Sequence, residues 1–440
     1  MDGQRERKIP RRQFVRSAVA IGGASALAAC TEREQSLLDD TATDEPKSTP
    51  DSRLPAGNPD ERPVGQHEWN EFLVHDSAGN TVPPEHQLVL GLSYDGATPP
   101  TDAERETAEA AFHTLDRALQ WGTGGDAATT FTRGLLFLIG YAPSYFDSVG
   151  GVPDELIRPE ALLEAVGEDT TKTDGFDAVI VLTSDVGSVV LAAEQALFGE
   201  RDQLNGRPVE GTLSEAFSVV ERRTGFAGQG LPANKLDHEE IPERAPLSMG
   251  FKSGFTDSLP AEDRVTLTEG PFAGGTTFAL SRLRLDLDRW YENSHEDRVD
   301  AMFCPAHDPE EVGPVGTNLG DDSGIERADV ENIPDHAAEF DRLGHSQKVA
   351  RARDDDFRPR ILRRSEGFAT DASKHTGFNF SSVQRSLDAF IEARRAMNVN
   401  KYDVDVASEN HGIVDYVTTV DRGTYLVPRH SNRALPVPEN

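Results

Sequence analysis

The sequence predicts an α+β fold built from two ferredoxin-like βαββαβ domains with antiparallel sheets. Three observations lead there. The chain has 440 residues, 37% of them hydrophobic, which is enough apolar mass for two cores. Short apolar runs alternate with segments of helical periodicity. The order strand, helix, strand, strand, helix, strand is met twice along the chain.

In the first half a mostly apolar strand is expected at 87–93. The capping box Thr101-Asp-Ala-Glu104 then opens a helix in which Ala108, Ala111, Phe112, Leu115, Ala118 and Leu119 recur on one face. Buried strands are expected at 134–141 and 177–183, a helix at 186–198 and a strand near 217–220. The second half repeats this layout with an insertion. It reads as a strand at 277–285, one helix over 286–303, a Gly-, Pro- and Asp-rich loop over 305–345, and strands at 360–363 and 377–383. A helix at 386–397 and two strands, 413–420 and 424–427, complete it. The domains are placed at 67–230 and 231–440.

Acidic residues outnumber basic ones by 76 to 44, a net charge of −32, so the surface repels phosphate backbones and nucleic-acid binding drops out. Only 8 of the basic residues are Lys, and acidic residues recur in every segment, a pattern suited to solubility in concentrated salt. Cys30 and Cys304 are the only cysteines, too few for a disulfide framework.

The first thirty residues read as an address. Pro-Arg-Arg-Gln-Phe-Val-Arg-Ser at 10–17 is a twin-arginine export signal, and the apolar run 18–29 is too short to cross a bilayer permanently. It ends in Leu27-Ala28-Ala29-Cys30, which resembles a lipobox, so Cys30 is the expected lipidation site and the membrane is met through a lipid anchor only. Residues 1–29 carry six basic and two acidic residues, so cleavage takes the net charge to −36. Residues 30–66, rich in Asp, Glu, Thr, Ser and Pro, are expected to form a disordered acidic stalk.

Among chemical motifs, no phosphate-binding Gly-x4-Gly-Lys-Ser/Thr and no Gly-x-Ser-x-Gly elbow is present, and Gly274-Gly275 opens a strand. A zinc site at Cys304 and His307 with His336 or His345 lacks paired ligand spacing. The Asp runs 321–322 and 354–356 read as solvated faces. Three segments remain: the glycine-bracketed turn Met249-Gly-Phe-Lys-Ser-Gly254, Leu343-Gly-His-Ser-Gln-Lys348, and Arg360-Ile-Leu-Arg-Arg364.

In these segments the chain resembles the dye-decolorizing peroxidase family, including its deferrochelatase-type members exported by the twin-arginine route. Further pieces fit in order at 134–146, 177–198, 274–290, 377–384 and 423–428, so the resemblance spans about 86–428. It implies a fold of the dimeric α/β-barrel superfamily and haem b as cofactor. It also implies His345 as axial iron ligand, Arg363 as distal arginine, and Gly254 and Phe380 against the haem. Asp415 or Glu409 would be the acid behind His345. Hydrogen peroxide and a small reducing substrate are the implied partners, a homo-oligomer is allowed, and the whole reads as a divergent haloarchaeal-type twin-arginine lipoprotein on the outer face of the cell membrane.

One departure bears on activity. Where the family carries a distal Asp, this chain has Ser253, whose hydroxyl is no general base near neutral pH, with Asp257 the nearest carboxylate in sequence. The expectation is therefore a haem peroxidase working through Arg363 and Ser253. The alternatives are a catalytically weakened haem carrier or sensor and a haem-free binding lipoprotein.

Overall fold

A computed structural model describes residues 54–438 apart from 229, 239–240, 247, 365–366 and 371–375. The export signal, Cys30 and most of the acidic stalk lie outside the described residues.

The first half runs β1 (His86–Tyr94), α1 (Asp102–Ala118), β2 (Leu136–Tyr141), α2 (Pro143–Val149), α3 (Pro159–Val166), β3 (Ala178–Ser184), α4 (Gly187–Leu197) and β4 (Phe217–Phe226). The capping box forms as expected: Glu104 N–H donates to Thr101 Oγ1 at 3.2 Å, and Thr101 N–H donates to Glu104 Oε2 at 2.7 Å. The helix then buries Ala108, Ala111, Phe112, Leu115 and Ala118. The central strands β2 and β3 are buried at every position, which accounts for their unbroken apolar composition.

The second half runs β5 (Thr276–Leu285), α5 (Leu287–Glu292), α6 (His295–Met302), α7 (Ile333–Phe340), α8 (His345–Arg351), β6 (Leu362–Arg363), β7 (Gly367–Thr370), β8 (Thr376–Gln384), α9 (Leu387–Ala396) and β9 (Val417–Val427). Here the boundaries depart from expectation in three places. The helix expected over 286–303 is two, because Asn293 Nδ2 folds back onto the carbonyls of Arg289 (3.2 Å) and Trp290 (3.1 Å) while Ser294 Oγ caps Asp297 N–H at 3.1 Å. The expected loop 305–345 contains short helices at 309–312 and 327–331 as well as α7, each too brief to show a period. The two strands expected at 413–420 and 424–427 are one strand, β9, with a bulge between Thr419 and Asp421, preceded by a 3-10 turn at 412–416. Gly423 does not interrupt it. The Asp174 carboxylate lies there, and a Cβ would meet its Oδ2 at 2.0 Å.

All strand pairings are antiparallel, in the order β6-β8-β5-β9-β2-β3-β1-β4, with β7 continuing the edge of β6 along β8. Each half thus has the ferredoxin-like order in which its first strand lies between its third and fourth, and the two halves share one sheet. At the seam β9 pairs with β2 at one position, Leu426 with Tyr141, and Arg422 of β9 forms a further bridge with Thr173 of the first half. At the far edges β4 lies beside β7, which curls the sheet toward a barrel. Side chains of β4 span the enclosed space: Glu221 Oε1 meets Arg282 at 2.9 Å, and Arg223 meets Asp421 at 3.0 Å. The main core draws on both halves, with Leu90, Val181, Phe278 and Tyr425 in one cluster.

The chain ends complete the seam. Gln66 is buried, donates to Pro428 O at 2.7 Å and accepts from Ile139 N–H at 2.9 Å. Arg433 is also buried, pairing with Asp116 at 2.5 Å and Glu109 at 2.9 Å, and Arg62 reaches the same Asp116. Among the described residues no helix is long and apolar enough to cross a membrane.

Candidate functional site

The second half holds a cavity of about 300 Å³ between its sheet and helices, at the lower end of the range for small-molecule and cofactor sites (roughly 300–1,000 Å³). His345, Arg363, Ser253, Gly254 and Phe380 all line it, so the three sequence segments converge.

His345 is the first residue of α8. The helix can begin there because Gly344 lies against the end of α6, where a Cβ would meet Phe303 O at 2.0 Å. Buried Gln347 accepts from Gly344 N–H at 3.0 Å and bonds His336 Nδ1 at 3.0 Å, fixing the start of the helix. Burial, together with repulsion from Arg363 and Lys348, pushes the His345 imidazolium down to about 3, so the ring is neutral near pH 7. Its Nδ1 is sealed from solvent with no hydrogen-bond partner among the described residues. Neither Asp415 nor Glu409 therefore accepts from it. The Asp415 carboxylate instead takes His411 N–H at 3.1 Å.

The turn at 248–254 is held from below by Trp290 Nε1, which donates to Met249 O at 3.0 Å, and by Tyr291 Oη, which donates to Ser248 O at 3.2 Å. Gly250 and Gly254 have φ of +82° and +76°, the left-handed region that explains the glycine brackets. Lys252 is pinned to Asp76 at 2.8 Å. Ser253 is exposed while lining the cavity. Asp257 does not line it; burial and the neighbouring Asp322 and Asp321 raise its pKa. Arg363 enters from β6, opposite Ser382 of β8, and Phe380 from β8, opposite Ser281 of β5.

One wall of the cavity lies outside the three motif segments. Arg394 of α9 and Arg422 of β9 converge on Glu168, which follows α3 in the first half. Arg422 donates from Nε at 2.8 Å and from a terminal nitrogen at 2.9 Å, and Arg394 Nε donates at 2.9 Å. Burial opposes ionisation of Glu168, but the two guanidinium groups outweigh it and hold its carboxyl down at about 2. Arg394-Arg395 near the end of a helix pattern was a visible signal; nothing in the sequence marks Glu168. In all, Lys252, Arg353, Arg360, Arg363, Arg394 and Arg422 line the cavity, and among the described residues no Asp or Glu does. Phe378, Phe380, Phe390, Leu283, Met302 and Met397 supply apolar surface. Among the described residues no group of three or more His, Cys, Asp or Glu is placed to hold a metal ion.

The fold, a mixed α+β architecture around a large antiparallel sheet, is that of the DyP-type peroxidases. It is similar to a protein of that type from Shewanella oneidensis at 15% identity, covering 80% of this chain and 94% of the other, with a TM-score of 0.50. Also similar are the encapsulated DyP-type peroxidase of Mycobacterium smegmatis (16% identity, 83% and 99% covered, TM-score 0.49) and a variant of Rhodococcus jostii RHA1 DypB in complex with heme (14%, 84% and 97%, 0.46). The chain belongs to the DUF7405 family, a family of unknown function whose model matches residues 84–429. Comparison with curated proteins gives no match.

Because Glu168 neutralises two largely enclosed guanidinium groups, Glu168→Gln should cost about 3–5 kcal/mol in denaturant unfolding near pH 7. The native pKa lies below the ordinary carboxyl value of 4.5, so this contribution is complete above pH 4.5 and is lost as pH falls toward 2. The stability gap between wild type and variant should narrow over that window. A gap independent of pH would assign the loss to packing.

Proposed function

We propose that the protein binds haem b in this cavity and acts as a hydrogen-peroxide-dependent oxidoreductase of the dye-decolorizing peroxidase type. The observation that carries this is the donor set: one neutral imidazole, several cationic side chains and apolar walls, with no carboxylate lining the cavity among the described residues. These residues fit haem, whose macrocycle is apolar, whose iron takes a neutral imidazole and whose propionates are anionic. His345 would ligate the iron. Arg394 and Arg422, two cations sharing one carboxylate, keep a net positive charge for an anionic group.

Bound haem would supply the redox chemistry. Arg363, charged at every working pH, would polarise the peroxide and offset negative charge developing on it. The Ser253 hydroxyl can hold a water and relay a proton but not take one up at neutral pH. The carboxylate-free lining favours one second reading, a haem carrier or sensor that turns over slowly. The twin-arginine signal and lipobox support export and anchoring through Cys30 at the outer face of the membrane.

Haemin added to the folded protein should give a Soret band that is lost in His345→Ala and kept in Arg363→Leu, while Arg363→Leu loses its reaction with peroxide. A band unchanged in His345→Ala removes that residue as ligand, and the absence of any band in wild type leaves the haem-free binding protein.

General-base assistance is worth about 10²–10⁴-fold, so Ser253→Asp should speed the peroxide reaction at least tenfold in stopped-flow mixing. Normal haem binding without acceleration would leave the carrier.

Mass spectrometry of membrane-extracted protein should find a lipid on Cys30, and Cys30→Ser should release the protein from membranes. An unmodified Cys30 in membrane-bound protein contradicts the anchor.

A further inference from the structure

We infer that Lys348 makes iron ligated by His345 electron-poor, shifting the one-electron equilibrium between ferric and ferrous iron toward ferrous. This rests on the haem-binding reading above.

Two observations on one short helix carry it. A ligating histidine ordinarily donates its second ring N–H to a carboxylate, a carbonyl or water, which makes the ring a stronger donor to the metal. At His345 that nitrogen, Nδ1, is sealed and unpartnered. One turn further on, at the spacing that brings side chains together on a helix, stands Lys348, with no exposed surface. Its ammonium donates to the carbonyls of His411 and Met397, the latter at 3.4 Å, and forms no ion pair among the described residues. Asp415 is the nearest carboxylate to act on it and is engaged by His411 N–H, while Arg394 adds a further positive charge. Burial draws the Lys348 pKa down only to about 8, so the group is cationic at pH 7. A charge enclosed in protein acts on its neighbours through a low dielectric, and buried Lys348 stands one turn from His345 on the same helix. The metal side of His345 therefore faces a weak donor backed by a cation. An iron so placed holds an added electron more tightly and, when oxidised, takes electrons from weaker reductants.

A purely structural role, tying 397 and 411 to α8, would predict no change in potential once those two bonds are kept. Lys348→Gln keeps amide donors and removes the charge, and Lys348→Arg keeps the charge. Each haem-loaded protein is titrated potentiometrically while its Soret band is followed. The expected result is at least a tenfold shift toward ferric iron in Lys348→Gln, which is 59 mV for one electron, with Lys348→Arg restoring the wild-type value. An intact Soret band with an unchanged potential in Lys348→Gln overturns the inference. Loss of any His345-dependent band in wild type overturns the haem reading instead. Wild-type protein alone supplies a second measurement, independent of whether a variant folds. The iron–histidine stretching frequency of the ferrous form should fall at the weak-donor end of the imidazole range. A frequency typical of histidine bonded to a carboxylate overturns the inference.

Discussion

Strand β9 is the element on which both halves depend. It pairs with β5 from Val417 opposite Leu285 to Val427 opposite Thr276, yet meets β2 at one position only. Backbone bonds from Arg422 N–H to Lys172 O at 2.9 Å and from Asp174 N–H to Arg422 O at 3.1 Å extend the junction, and residues near the ends of the described chain complete it: Gln66, and Arg433, whose carbonyl accepts from Tyr141 Oη at 2.5 Å. The same strand carries Val417, Thr419 and Arg422 into the cavity wall. Where the seam sits therefore decides whether Arg422 reaches Glu168, a residue of the other half. The cavity belongs to the second half by its lining, but its charge balance is set across the seam.

Electrostatics in this molecule work in two separate regimes. The exposed acidic surface of a chain at −32 is screened by added salt, with a Debye length near 3 Å at 1 M. Charges held in the cavity are far less accessible to counterions. Arg422 is fixed by a bidentate and Arg394 by a single contact to Glu168, and Arg363 and Lys348 act on His345 through protein. An acidic protein thus keeps a cationic interior whose field survives the salt that flattens its surface potential. Breaking such enclosed pairs is costly because the partner left behind cannot recover its hydration.

Much of this was legible in the sequence because it rests on local patterns. Apolar spacing located the strands of both halves except β7, and helices α1, α4 and α9, and the Thr101 capping box fixed one boundary to the residue. The segments around Gly250, His345 and Arg363 were visible as short motifs, and they do meet. What escaped has no local signature. The break at Asn293 and Ser294 depends on one side chain turning back onto its own helix, and the continuity of β9 through Gly423 depends on Asp174 packing from another segment. Glu168 acts on arginines more than 200 positions away, which no periodicity encodes. The acid expected behind His345 is missing for a different reason: the carboxylate of Asp415 is taken by the backbone N–H of His411, four positions away.

The shared sheet also fixes when the chain can finish folding. Gln66 needs Pro428, Glu109 and Asp116 need Arg433, and the first strand of the second half lies between β8 and β9. These contacts join segments more than 300 positions apart, so the molecule has high contact order and closure waits until Pro428 and Arg433 are available. The first half can assemble its own four strands during synthesis, but β2 keeps a raw edge until β9 arrives. Removing the last dozen described residues takes away Arg433 and leaves Asp116 with Arg62.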